Sequence, residues 1–144
     1  MSFIAHRSVY SRGLTLIEVV LSLGILSVVL LSLLAVFTSG LKLARSSDQA
    51  TVATTVGQEF MELVRARGFG STAVGVYDGR LNDPPDPSTG FPFTPYPAIA
   101  IDHETYTLVV TCEDVSPTLR SVKVDVYWDL VREGKLTFYT IVHI

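Results

Sequence analysis

Cysteine is almost missing from this sequence: Cys112 is the only one among 144 residues. The chain therefore cannot form an internal disulfide, and a zinc site built on paired cysteines is excluded. A lone cysteine in a small domain is more often a buried apolar side chain than a reactive thiol. We expect Cys112 to lie in a core.

Charge is almost missing from residues 14–37, where Glu18 is the only charged side chain. About 20 residues of apolar helix cross the hydrocarbon core of a membrane, so this run is long enough to span a bilayer. The whole chain also lacks a basic excess, because its net charge is −3. Direct binding of nucleic acid is therefore not expected.

Proline is missing from residues 14–67, so no residue there interrupts a helix. Within 38–67, apolar side chains recur three and four residues apart with charged residues between them, which indicates a helix that buries one face. Gly68 follows as a candidate C-cap. The stripe expected to be buried consists of Val52, Val56, Phe60, Leu63 and Val64.

Glycine and proline are instead concentrated in residues 68–97. This composition predicts a connecting region, with a short strand at 73–77 and a proline- and glycine-rich loop at 78–97. Within that loop, 82–97 is expected to be an ordered or semi-ordered surface loop. A loop of that length in a small domain is often functional or mobile.

The final third of the chain alternates apolar and polar residues, which is typical of strands with one buried face. Turn residues separate the alternating segments at Ser116-Pro117 and at Arg132-Glu133-Gly134. The pattern predicts an antiparallel meander of three strands, at 105–112, 120–130 and 135–144.

The predicted fold class is therefore α+β. A long N-terminal helix, transmembrane in its first half, packs through its second half on a small antiparallel β-sheet head. The predicted segments are a leader at 1–13, a membrane helix at 14–37, an amphipathic continuation at 38–67 and a β-rich head at 68–144.

The leader carries Arg7, Arg12 and His6 and no acidic residue. Its small residue, Gly13, stands before the apolar run, whereas a secretory signal peptide has its small residues after it. A cut after Gly13 would therefore leave the hydrophobic helix on the mature chain. Basic residues also follow the run closely, so the positive-inside rule leaves the orientation open.

Glu18 is the sharpest functional signal in the sequence. A charged residue within a membrane span costs roughly 2.5 kcal/mol or more, so a partner is expected. A cut after Gly13 would create a free amino group on Leu14 that could be this partner. A carboxylate in the first turn also suits the positive end of the helix dipole. The alternative is that Glu18 sits at the membrane edge and reaches the headgroups.

Other candidate sites are weaker. Asp78, Asp83 and Asp86 could together hold Ca²⁺, but their spacing differs from the EF-hand pattern, and solvated loop acids are favoured. His103 lies between two acids, yet no nucleophile, base and orienting group come together. We expect no enzymatic activity, no cofactor and no metal. Core or sheet-surface positions are expected for the aromatic residues Tyr96, Tyr106, Tyr127, Trp128 and Tyr139.

Residues 13–18, Gly-Leu-Thr-Leu-Ile-Glu, resemble the class III prepilin signal of type IV pilins and type II secretion pseudopilins. That family has a short basic leader, a Gly, an apolar residue that is usually Phe, Thr-Leu-x-Glu, and about twenty apolar residues. This chain departs from the pattern in having Leu14, no proline in the span and no C-terminal cysteine pair. Segment 58–69 and Val126-Tyr127-Trp128 are most similar to minor pilins or small pseudopilins.

The resemblance implies a role for each matching residue. Prepilin peptidase would cut after Gly13, and Leu14 would become a methylated N-terminus. Glu18 would pair with the Leu14 amine of a neighbouring subunit during assembly. Helix packing in the filament core would involve Leu16, Ile17, Val20, Leu21 and Gly24.

The resemblance also implies a function, a location and partners. The chain would be a structural subunit of a pilus or pseudopilus that serves adhesion, motility, DNA uptake or secretion. Before assembly it would cross the inner membrane once, with the leader in the cytoplasm and the head outside. Its partners would be other pilin or pseudopilin subunits, prepilin peptidase, the inner-membrane assembly platform and the lipid bilayer. The alternative is a monomeric, single-span anchored binding protein with an uncleaved leader, whose head binds a ligand through the proline-rich loop.

Overall fold

The computed structural model describes residues 15–128 and 134–144. One helix, α1, is followed by a 3₁₀ turn and by five strands of a single antiparallel sheet, so the fold is α+β as predicted. The elements are α1 (Leu16–Arg67), the 3₁₀ turn (Phe69–Ser71), β1 (Gly75–Asp78), β2 (Ala98–Ile101), β3 (Glu104–Ser116), β4 (Leu119–Trp128) and β5 (Gly134–His143). The chain divides into two units, Met1–Leu43 and Ala44–Ile144.

In the first unit the described residues form an apolar helix. Its most apolar stretch has a mean hydropathy of 2.8 and is 0% buried, so this helix is long and apolar enough to cross a membrane. The serine hydroxyls donate to backbone carbonyls four residues earlier: Ser22 to Glu18 at 2.7 Å, Ser27 to Leu23 at 2.8 Å and Ser32 to Val28 at 2.8 Å. These hydroxyls therefore need no partner outside the helix, which suits an apolar environment.

The second unit contains the sheet, with the order β1-β3-β4-β5 and with β2 also paired to β3. The predicted meander is confirmed as β3, β4 and β5, with Val124 opposite both Val110 and Phe138. The predicted turn at 116–117 joins β3 to β4. In the predicted turn at 132–134, Arg132 and Glu133 lie outside the described residues, and Gly134 begins β5.

The core lies between α1 and one face of the sheet. Leu108 and Val110 on β3 and Val124 on β4 are fully buried, as the alternation predicts. The predicted helical stripe is also confirmed, since Val56, Phe60 and Val64 are buried and Val52 and Leu63 are partly buried against them. Cys112 belongs to this core with 1% of its surface exposed, and burial raises its pKa to about 11.

Strand β2 was not predicted. It is four residues long and pairs with β3 through a two-residue turn, Asp102-His103. Both turn residues have positive φ, 48° and 69°, as a type I′ hairpin turn requires. His103 is therefore a turn residue. Behind the turn, Glu104 Oε1 accepts hydrogen bonds from Arg45 Nη2 at 2.5 Å and Gln49 Nε2 at 3.0 Å, which ties the turn to α1.

The proline-rich loop corrects a second expectation. The sequence predicts a surface loop at 82–97, but Phe91 and Phe93 are buried in the core. Tyr96 is buried too, which agrees with the core or sheet-surface position expected for it. The Phe91 ring meets the Tyr77 and Phe93 rings edge-on, at centroid distances of 5.5 and 5.4 Å. The physical reason is that one helix does not cover the inner face of a five-stranded sheet, and the loop aromatics cover the remainder.

Arg120 on β4 ties the chain that follows α1 to the sheet. Its Nη1 donates to the carbonyl and the hydroxyl oxygen of Thr72, its Nε donates to Asp114 Oδ1 at 2.7 Å, and its guanidinium lies 4.2 Å from the Phe69 ring centroid. The side chain is mostly buried. Arg120 therefore provides charge-assisted hydrogen bonds to the segment that follows α1.

Gly57 allows α1 to approach β5 closely. A Cβ at this position would overlap the Phe138 ring. We expect Gly57→Ala to destabilise the head, because overpacking costs about 1–3 kcal/mol and exceeds the gain of about 1 kcal/mol in helix propensity. In thermal unfolding of the detergent-solubilised chain, a net loss of about 1 kcal/mol corresponds to about 4–8 °C in Tm.

Gly40→Ala is the matched control for this prediction, since nothing lies within 4 Å of the Cβ that it adds. Adding Phe138→Leu to Gly57→Ala should recover part of the lost stability, because the two sites are in contact. A Tm for Gly57→Ala that equals or exceeds that of the parent chain would contradict this account of the packing.

Candidate functional site

The first turn of α1 contains Glu18, the residue singled out by the sequence. The Glu18 amide donates to the Thr15 carbonyl at 3.1 Å and lies 3.4 Å from Thr15 Oγ1. Thr15 therefore caps the helix, and the Thr-x-x-Glu spacing is that of a capping box. This role of Thr15 is not among the sequence predictions, although the three-residue spacing to Glu18 is a detectable signal.

The Glu18 side chain is exposed and lies at the positive end of the helix dipole. Gly13 and Leu14, the predicted cleavage site, lie outside the described residues. The pairing of Glu18 with a Leu14 amine therefore stays a prediction.

Four of the five residues predicted to pack helices together lie on one exposed side of α1. Ile17, Val20, Leu21 and Gly24 line a shallow, almost wholly apolar groove, which continues along the helix to Ile25, Val28 and Val29. Nothing lies within 4 Å of the position that a Gly24 Cβ would take. A small residue at such a place lets the backbone of another helix come close. Leu16, the remaining predicted residue, is exposed but does not line this groove.

The three loop acids have separate partners. Asp78 forms an ion pair with Arg80 at 2.7 Å, and Asp83 Oδ2 accepts the Asp78 amide at 2.9 Å. Asp86 Oδ1 accepts from the amides of Ser88 and Thr89 and from both of their hydroxyls. Within 15–128 and 134–144, no three His, Cys, Asp or Glu residues are placed to hold a metal ion together.

A buried carboxylate that the sequence analysis did not single out lies on the sheet face opposite the helix. Asp125 is 5% exposed and accepts a hydrogen bond from the Thr137 hydroxyl at 2.6 Å. Lys123 Nζ and Lys135 Nζ lie 3.2 and 3.3 Å from its other oxygen. Burial acts to raise the Asp125 pKa, but these hydrogen bonds outweigh it and the pKa is lowered. The network joins β4 to β5, which is a structural role.

Comparison of the chain with protein-family models, with curated proteins and with solved structures finds no match.

The Asp86 turn makes a pH-dependent contribution to the order of the loop. Hydrogen bonds from Ser88 and Thr89 lower the Asp86 pKa from 3.8 to about 2. Because the folded pKa lies below the unfolded one, the stabilisation is fully present above about pH 4 and is lost as the pH falls through about 2. An NMR titration of the Asp86 carboxyl carbon should therefore give a midpoint near 2.

The Ser88→Ala, Thr89→Val double variant keeps the backbone donors and removes both hydroxyls. We expect its Asp86 midpoint to move upwards, towards the ordinary aspartate value. If the parent chain already titrated near 3.8, the hydrogen-bonded turn would not exist in solution.

Proposed function

We propose that this chain is a structural subunit of a helix-packed filament, a minor type IV pilin or a type II secretion pseudopilin. In this proposal, prepilin peptidase cuts after Gly13, and α1 then packs against the helices of other copies. One observation carries the proposal: the uncovered apolar part of α1, residues 16–43, has a single acidic residue, and that residue lies in the first turn. The proposed cut after Gly13 would place the new N-terminus just before this turn.

The uncovered apolar surface of α1 supports assembly, because exposing this surface to water is unfavourable. Between Leu16 and Leu43 the large apolar side chains are exposed along all sides of α1. Each Å² of such surface costs about 25 cal/mol when it faces water. A bilayer before assembly, and neighbouring helices after it, both provide apolar surroundings.

Glu18 supports assembly in preference to a permanent, solitary span. In a lone helix, this carboxylate would sit near lipid at a cost of roughly 2.5 kcal/mol or more. A Leu14 amine created by the cut would carry the opposite charge. When it belongs to a neighbouring copy, neutralisation and helix packing occur in the same step, with Gly24 leaving space for the incoming backbone.

The proposal also gives the orientation that charge left open. The leader is cytoplasmic and the head is extracytoplasmic before assembly, and the subunit then enters a pilus or a periplasmic pseudopilus. It assigns no chemical reaction to the head, which forms the outer part of the filament. Its partners are further subunits, the peptidase and the inner-membrane platform.

The mass of the N-terminal peptide from cell membranes or sheared filaments tests the cut. We expect a peptide that begins at Leu14 and carries a methylated amine. Gly13→Ala should abolish this peptide. A peptide that begins at Met1 or Ser2 in the parent chain would overturn the proposal and favour an anchored binding protein with an uncleaved leader.

Glu18→Gln tests the charge pair, since it keeps the size of the side chain and removes the charge. We expect at least tenfold less of this variant in filaments, with processing at Leu14 unchanged. The matched control is Glu62→Gln. It alters an exposed acid of the same helix, in the part that belongs to the second unit of the chain. Equal incorporation of the Glu18 and Glu62 variants would show that the carboxylate is not needed.

A further inference from the structure

Strand β5 forms an open edge of the sheet, since it pairs only with β4 among the described residues. The Ile144 amide donates to the Thr118 carbonyl at 3.3 Å, and alternate residues of an antiparallel ladder have this role. The amide and carbonyl groups of Thr137, Tyr139 and Ile141 therefore point away from β4. Across 134–144 as described, these groups have no backbone partner.

The outer face of this edge is apolar. Tyr139 and Ile141 project from the sheet face opposite α1 and are 66% and 61% exposed. Proteins normally protect an open edge with charged side chains, proline, a bulge or a covering segment. Residues 136–142 contain no charge and no proline, and their register with β4 has no bulge. The edge is therefore suited to pairing with a further strand.

A cleft with a cationic wall lies beside this edge. Arg65, near the end of α1, donates from Nε to Thr140 Oγ1 at 2.8 Å, which holds its guanidinium in place. Within 15–128 and 134–144, its two Nη groups have no hydrogen-bond or ion-pair partner. The cleft has a volume of about 280 Å³ and is lined by Arg65, Gly68, Ile141, Val142 and His143. A guanidinium in this position is available to a carboxylate.

The alternation of β5 determines which side chains of an added strand would meet these groups. Residues opposite Tyr139 and Ile141 would place their side chains on the outer face, beside two exposed apolar side chains. The residue between them, opposite Thr140, would point to the inner face. Because Thr140 and this residue form a non-hydrogen-bonded pair, their Cα atoms lie about 4.5 Å apart and their side chains are close. A carboxylate there comes within reach of Arg65, in either strand direction.

A second copy of β5 does not meet these requirements. If two β5 strands paired antiparallel about Thr140, the residue opposite Thr140 would be the Thr140 of the other copy, which has no charge. Such a pairing is two-fold symmetric, so the Arg65 side chains of both copies would lie close together on one face. Like charges at short distance repel each other. The cleft therefore favours a partner that supplies an acidic residue at this position.

We propose that the β5 edge binds an extended peptide segment of another protein, in which an acidic residue stands between two apolar residues. The backbone of the segment pairs with the outward groups of Tyr139 and Ile141. Its apolar side chains cover the rings and methyl groups of these two residues, and its carboxylate binds Arg65. In strand addition, backbone pairing gives affinity and alternate side chains give specificity. This binding adds a partner of the head to the proposed function and does not depend on it.

Hydrogen exchange of the full-length chain in detergent, followed by NMR, tests the binding. The probe is acetyl-Ser-Thr-Val-Glu-Val-Thr-Ser-amide, whose only charge is the central carboxylate. At millimolar peptide, we expect the Tyr139 and Ile141 amides to exchange about fivefold more slowly, because the added strand accepts their hydrogens. The Thr140 amide, which already faces β4, should change little. Unchanged exchange at Tyr139 and Ile141 would overturn the proposal.

Arg65→Gln tests the charge pair, since glutamine keeps a donor for Thr140 and removes the charge. We expect about tenfold weaker binding of the glutamate peptide, and unchanged binding of the same peptide with glutamine at its centre. Arg67→Gln is the matched control, because the Arg67 guanidinium lies 4.2 Å from the Phe93 ring centroid and does not line the cleft. It should leave the affinity for the glutamate peptide unchanged.

Arg65→Glu reverses the charge and should bind the peptide with lysine at its centre in preference to the glutamate peptide. This reversed preference also shows that the variant head is folded. Equal binding of the glutamate and glutamine peptides to the parent chain would overturn the proposal. A peptide-free dimer with Tyr139 and Ile141 already protected would overturn it as well, because a second copy would then occupy the edge. The mass of the N-terminal peptide, which tests the proposed function, is unaffected by these outcomes.

Discussion

The need to cover the apolar surface of α1 determines how the rest of the chain is used. Between Leu16 and Leu43 the helix offers neither a polar face nor a partner within the described residues. Its serines return their hydroxyls to the helix itself, so lipid and another apolar helix are both acceptable surroundings. Glu18 differs from the rest of this segment. Its carboxylate is stable in lipid or against another apolar helix only when a cation lies beside it.

In the second unit, α1 buries one face against the sheet. Here α1 has a narrow buried stripe, and Gly57 brings it close enough to accept the Phe138 ring. The helix is too narrow to cover five strands, so the loop between β1 and β2 contributes Phe91 and Phe93 to the remaining apolar surface. A stable head is thus made from one helix, one sheet and one aromatic loop, without a disulfide.

The elements of the fold that could be predicted from the sequence are those with a regular spacing of apolar residues. The helical stripe from Val52 to Val64 and the alternation on β3, β4 and β5 follow from spacing alone, because each regular element has one buried face. Strand β2 is only four residues long and contains two alanines, so its pattern is too short to detect. The buried aromatics were hidden because glycine and proline around them indicate a turn, and local composition does not report what lies across the sheet.

Within the candidate site, the sequence identifies which residue is unusual but does not predict the groups that surround it. Glu18 stands out because a charge in an apolar run is costly wherever it falls. The Thr-x-x-Glu spacing also predicts the cap from Thr15, because a three-residue separation lets a threonine oxygen reach the glutamate amide. Asp125 could not be found in this way, since Lys135 and Thr137 reach it only after β5 has paired with β4.

Polar ties between α1 and the sheet lie near both ends of the packed helix. Glu104 accepts a hydrogen bond from Arg45 near one end, and Arg65 donates to Thr140 on β5 at 2.8 Å near the other. The apolar contacts between them are non-directional and would permit the helix to slide. A lengthwise pull on α1 would have to stretch charge-assisted hydrogen bonds at both ends together, so the load is shared and the head resists shear as one body.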